Sequence, residues 1–164
     1  MFNLDAERQK RLTMRRISIV GVITGGVVDI VATNIATIPL MIYVMSSLGS
    51  PHISQSQLSA KMLTALHENP GLYAVQMAGG LGSSLLGGYV AALIAKREEI
   101  LNGFLSSWLC VAFGIYGFTS GLDALDSSPW YVKAMLSVLG PICALLGGYL
   151  RLTQKKRALS NAQL

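Results

Sequence analysis

Four long stretches of this chain carry almost no charge, and no other feature limits the fold so strongly. They run approximately over residues 17–44, 73–95, 101–122 and 131–150. A helix rises about 1.5 Å per residue, so about 20 mainly apolar residues are needed to cross roughly 30 Å of hydrocarbon. All four stretches meet that length. The runs are continuous, without the polar–apolar alternation of lipid-facing strands, and only a helix satisfies its own backbone in lipid. A soluble bundle would need polar outer faces that these segments lack. With 52% hydrophobic and 13% charged residues, the composition agrees. The expectation is an all-α membrane protein whose 164 residues form a single transmembrane domain of four helices.

The cations set the orientation. Arg8, Lys10, Arg11, Arg15 and Arg16 precede the first stretch, Lys96 and Arg97 separate the second from the third, and Arg151, Lys155, Lys156 and Arg157 follow the fourth. Only Lys61 and Lys133 of the 13 cations fall in or beside the opposite loops. The positive-inside rule therefore predicts a bacterial inner-membrane protein with both termini in the cytoplasm. On this reading the basic pI of about 9.4 reports topology. It is not the mark of a nucleic-acid partner, because no basic face interleaved with aromatics is present. The first stretch is too long for a signal-peptide core, despite Arg15-Arg16, and reads as an uncleaved anchor.

Residues 46–72 form the long external loop. After Pro51, either Ser54 or Ser56 can cap a helix, Leu58, Met62, Ala65 and Leu66 recur at helical spacing, and Asn69-Pro70-Gly71 stops it. This predicts a short periplasmic amphipathic helix, lying on the membrane or folded over the bundle. A small echo links the second and fourth stretches: Leu85-Leu86-Gly87-Gly88-Tyr89 returns as Leu145-Leu146-Gly147-Gly148-Tyr149. It reads either as two pseudo-repeated helical hairpins about an axis along the membrane normal, or as coincidence in a chain rich in Gly and Leu.

Small residues recur every fourth position in the second stretch. One row is Gly79, Ser83, Gly87, Ala91 and Ala95, and beside it run Gly80, Ser84, Gly88 and Ala92. The fourth stretch carries Gly140, Ala144 and Gly148. Such rows let helix backbones approach closely in lipid, either within one chain or across a homodimer.

Asp29 is the chemical oddity. Near the middle of the first stretch, a carboxylate costs at least about 2.5 kcal/mol on insertion scales, so it is expected to face the bundle interior or water. Gly25, Ala32, Thr33 and Ala36 share its face, Asn34 lies well around the helix, and Pro39 frees the carbonyl of Ile35. Two roles compete. Asp29 and Thr33 form a proton or cation site, or Asp29 is a neutral acid bonding Ser106, Ser107 or Tyr116 as glue between helices.

Other chemistry is thin. His52, His67 and Glu68 lack metal-ligand spacing, and Cys110 and Cys143 lie within the apolar stretches as small packing residues. Asp123, Asp126, Pro129 and Trp130 read as a polar turn leading into an interfacial anchor. No phosphate loop, nucleophile triad or cofactor fingerprint is visible, so no cofactor or metal is expected.

The stretch from Gly87-Gly88-Tyr89 through Lys96-Arg97-Glu98-Glu99 to Gly103 resembles a pattern in small, uncharacterised four-helix bacterial membrane proteins. There a glycine pair and small residues end one helix, a charged turn follows, and a glycine opens the next. The run Gly26-Val27-Val28-Asp29 is similar to their first helix. The resemblance implies the four-helix fold and no particular activity.

The leading expectation is a non-enzymatic accessory or assembly subunit, associating with other membrane subunits or with itself through its small-residue faces. The alternative is a small oligomeric transporter or channel that uses Asp29 for protons or ions. A lipid-acting enzyme drawing on His67 and Glu68 ranks third.

Overall fold

The computed structural model describes residues 17–48, 54–119 and 130–162. The basic residues Arg8, Lys10, Arg11, Arg15 and Arg16, the loop residues Pro51 and His52, and Asp123, Asp126 and Pro129 lie outside them. Among the described residues there are five helices and no strand: α1 (Ile19–Leu48), α2 (Gln55–Glu68), α3 (Pro70–Ala95), α4 (Glu99–Thr119) and α5 (Trp130–Asn161). Two of them, α1 and α3, are long and apolar enough to cross a membrane, and α4 holds a shorter apolar stretch over Glu99–Ala112.

Local chemistry explains the boundaries. Ser54 caps α2 through a capping box, its hydroxyl accepting from the Gln57 amide while Gln57 Oε1 accepts from the Ser54 amide. Asn69 then serves twice. Its own amide closes α2 on the Ala65 carbonyl, and its side chain accepts from the amides of Gly71 and Leu72 to open α3, with Pro70 in the first turn. The second apolar helix accordingly begins at Pro70, three residues before the apolar run that marks it in the sequence. Helix α1 passes through Pro39 to Leu48.

Helix α5 departs most from the sequence expectation. It does not end with the apolar run at Leu150 but continues to Asn161, carrying Arg151, Lys155, Lys156 and Arg157 along its last turns. Helix-forming residues such as Leu152, Gln154, Lys155, Lys156, Arg157 and Ala158 sustain it where hydropathy gives no signal.

Helix α3 is the hub, packing against α1, α4 and α5, and α2 touches both α1 and α3. The interior is made of small and polar side chains, with Ala91, Ala92, Ala144, Ser83, Ser106, Ser107 and Asn102 all buried. The large apolar side chains point outward instead: Ile23, Val27, Val31, Ile35, Ile38 and Ile42 line one exposed face of α1, each about half exposed or more. Contiguous apolar faces of this kind are uncommon on water-soluble monomers.

The ends of α1 and α4 are latched by Asn102, which is fully buried. Its Oδ1 accepts from the Ser18 amide at 2.7 Å, and its Nδ2 donates to the carbonyls of Arg97 and Glu98 at 3.0 Å. The α3–α4 turn around it places Lys96 and Glu98 in the left-handed region, at φ 56° and 47°.

Candidate functional site

Asp29 is 2% exposed, enclosed where α1, α3 and α4 meet. Glycines make that meeting possible. A methyl group on Gly25 would lie 2.6 Å from both the Gly87 carbonyl oxygen and the Ala91 side chain, and one on Gly87 would lie 2.8 Å from Asp29 Cβ. A methyl on Gly26 would strike Leu109 at 2.6 Å. With no side chain at these positions, α1 settles onto α3 and α4 closely enough for the Asp29 carboxyl to reach both.

Three donors converge on it. Ser84 Oγ of α3 donates to Oδ1 at 3.2 Å, Thr33 Oγ1 reaches the same oxygen at 3.5 Å, and Cys110 Sγ of α4 approaches Oδ2 at 3.2 Å. The carboxyl therefore joins three helices through one side chain. A buried carboxyl with such partners escapes the penalty of an unsatisfied polar group.

The partners on α4 differ from those suggested by sequence. Ser106 and Ser107 turn back to the carbonyls of Gly103 and Phe104, at 2.7 and 2.9 Å, and Tyr116 is 62% exposed. Such i−3 bonding is an ordinary choice for a serine inside a helix. The α4 side chain that meets Asp29 is Cys110, one turn beyond Ser106, so this cysteine does more than fill space. Ser84, read from the sequence only as a packing residue, is also a carboxyl partner.

A polar row leads from Asp29 toward the end of the molecule that bears α2. On α1 it climbs one turn at a time through Thr33 and Thr37, where Thr37 Oγ1 donates to the Thr33 carbonyl at 2.9 Å. Across on α3, Gln76 Nε2 donates to Thr37 Oγ1 at 2.9 Å, matching the Ser84–Asp29 bond two turns away. Between these cross-links stands Gly80, where an added methyl would meet nothing described within 4 Å. In the other direction the row stops, because a methyl on Gly21 would lie 2.8 Å from the Ala91 carbonyl oxygen. Asn34 stays outside, bonded to the Ile30 carbonyl of its own helix.

The small-residue rows divide between partners. Gly79, Gly87 and Ala91 face α1, with Gly79 opposite Ala36, and Ser83 is buried with its hydroxyl on the Gly79 carbonyl. Gly88 faces α5, where an added methyl would overlap the Ala144 backbone. Gly147 sits against the backbone of Leu85 and Tyr89, which brings the two Leu-Leu-Gly-Gly-Tyr segments side by side. Gly148 meets the Glu99 carbonyl, and Gly140 has only ordinary contact with Ser84.

His67 is exposed with its Nδ1 2.9 Å from the Leu63 carbonyl, and Glu68 is exposed beside it. Among the described residues no group of three or more His, Cys, Asp or Glu gathers to hold a metal. No family model, curated protein or solved structure matches the chain.

Proposed function

We infer that this chain is a non-enzymatic inner-membrane protein of four spans with both termini in the cytoplasm, and that its working centre is Asp29, a carboxyl that takes up and releases a proton. The single observation carrying the reading is the junction itself: one buried carboxyl bonded by Ser84 and Cys110 from two other helices and by Thr33 from its own. A proton arriving there adds a donor to a carboxyl that had only accepted and weakens the bonds it accepts, so the set of bonds from the three side chains changes with its protonation and the helix contacts respond. The polar row of Thr33, Thr37 and Gln76, with the gap at Gly80, supports a route from the periplasmic side, and the tight glycine contacts below Asp29 close the other side until the helix contact shifts and releases the proton there. The four apolar runs, and the sequence positions of 11 of the 13 cations before the first run, between the second and third and after the fourth, support four spans with that orientation. The outward Ile and Val face of α1 suits lipid.

The test is flux. Protein reconstituted in vesicles with an imposed proton gradient is expected to pass protons, and Asp29→Asn to pass none. Equal flux in the two would remove Asp29 from the mechanism.

A second reading, an accessory subunit that docks on a membrane partner or on itself, draws on a different observation. Much of the small-residue surface is consumed inside the chain, but Ala78 and Gly82 stand exposed one turn apart on α3, with nothing described within 4 Å of a methyl on Gly82. Small residues at that spacing accept a neighbouring helix in lipid. Gly82→Leu is expected to disperse a complex isolated in mild detergent, and an unchanged complex would count against the docking face.

A further inference from the structure

At the opposite end of the bundle from Gln76, the C-terminal turn of α3, the first turn of α4 and the extended part of α5 line a half-open cavity of about 420 Å³. Its lining is Ala92, Leu93, Lys96, Glu99, Arg151 and Lys155. That volume lies within the roughly 300–1,000 Å³ of small-molecule sites. Three cations and one carboxylate face it, and their arrangement is ordered. Lys155 Nζ donates to Glu99 Oε1 at 2.5 Å and to the Lys96 carbonyl at 3.1 Å. Glu99 is 6% exposed, and the Lys155 bond holds its carboxyl below the usual carboxylate range, so it is charged at neutral pH. Its charge is spent first on Lys155 and more weakly on Arg151, so within the lining three cations share one carboxylate and a net positive charge remains.

We propose that this cavity binds the phosphate of an anionic membrane phospholipid, with Lys96 and Arg151 as its charged ligands and the Glu99–Lys155 pair fixing the wall between α4 and α5. Phosphate is the chemistry that suits an arginine fork beside a lysine point charge. The lipid source follows from the position of the cavity. Leu93 lines it and is 40% exposed, and Leu86, two turns back on the same face of α3, is 52% exposed. An acyl chain lying along Leu86 and Leu93 carries its headgroup to Lys96 and Arg151, where α3 leaves the apolar layer. Basic pockets at the cytoplasmic ends of membrane helices hold anionic headgroups in this way. The proposal rests on the membrane reading above and is independent of Asp29.

The experiment is native mass spectrometry of the purified full-length chain in mild detergent, titrated with phosphatidylglycerol, phosphatidylcholine and soluble glycerol phosphate. Phosphatidylglycerol is expected to bind in preference to phosphatidylcholine, and glycerol phosphate not to displace it. Each of Lys96→Gln and Arg151→Gln is expected to weaken the complex roughly fivefold, and the two together about thirtyfold, at about 1 kcal/mol per cation near a membrane surface. Lys156→Gln with Arg157→Gln removes two cations from the same helix outside the lining and is expected to leave binding unchanged. Equal binding of the two lipids, equal loss in the control pair, or no loss in the single variants would overturn the site. Displacement by glycerol phosphate would overturn the lipid assignment in favour of a soluble phosphate. Wild-type competition decides the matter even where a variant does not fold. Carbonate-resistant recovery of the wild-type chain with membranes tests the membrane reading separately.

Discussion

Gly88→Ala is expected to loosen the α3–α5 contact, and Gly80→Ala, eight residues away on the same helix, is not. The two substitutions are chemically identical and both relieve glycine's conformational freedom, which by itself favours alanine by roughly 0.5–1 kcal/mol in a helix. The structure separates them. At Gly80 the new methyl meets nothing described within 4 Å, so the change is neutral or slightly stabilising. At Gly88 it overlaps the Ala144 carbonyl and lies 2.6 Å from Ala144 Cα, where ordinary contact begins at 3.4 Å. The obstacle is backbone and cannot rotate away, so α3 and α5 must separate by about 1 Å along their contact. Overpacking costs typically about 1–3 kcal/mol, and here Gly147 against Leu85 and Gly148 against Glu99 lose part of their contact as well. The net difference between the variants is expected to be about 2–4 kcal/mol. Equilibrium denaturation of the purified protein in mixed detergent micelles, followed by circular dichroism, measures it. Midpoints for Gly88→Ala and Gly80→Ala that coincide would refute the close α3–α5 approach.

Further outcomes follow from the same geometry. Cys110→Ala adds no bulk and removes the donor to Asp29; it is expected to destabilise the fold by about 1–3 kcal/mol, while Cys110→Ser is expected to lose less, since a hydroxyl donates in its place. Glu99 is bonded to Lys155 with its acidity strengthened, so this pair stabilises the fold above the ordinary carboxylate range and the contribution is lost as pH falls through the lowered folded-state value. Lys155 is 43% exposed, which limits the effect to about 1 kcal/mol. Acid titration of stability in wild type and Glu99→Gln should show a shallower fall in the variant; parallel curves would remove the pair from the account. Lys96→Gly, at a left-handed position, is expected to raise stability in lipid-free detergent by about 1 kcal/mol, while Lys96→Val lowers it. A variant series without that ordering would show that the turn is not strained.

Helix positions were legible from hydropathy because a continuous apolar run has few other uses. The cap at Ser54 and the stop at Asn69-Pro70-Gly71 were legible from local chemistry, although the sequence alone left Ser56 as a rival to Ser54 and did not show that Asn69 and Pro70 also open α3. Hydropathy carried no trace of α5 beyond Leu150, because the backbone keeps its helical hydrogen bonds there while the side chains turn polar. At the candidate site, Asp29 and Thr33 stood out as a polar pair one turn apart. Ser84 and Cys110 did not, because their role depends on how α3 and α4 rotate against α1, and that rotation is set by contacts at Gly25, Gly26 and Gly87. A cysteine in an apolar run reads as a small hydrophobe until a carboxyl is found beside it. Asn102 escaped notice for a related reason: its side chain bonds the backbone of Ser18, Arg97 and Glu98, which no side-chain pattern announces.

The most direct test of the central claim is proton flux into vesicles containing the purified chain, read with a trapped pH indicator under an imposed gradient, for wild type, Asp29→Asn and Asp29→Glu. The account predicts flux in wild type, its abolition by the amide, and partial retention by the longer acid. Flux that survives Asp29→Asn unchanged, or wild-type vesicles no more permeable than empty ones, would contradict it.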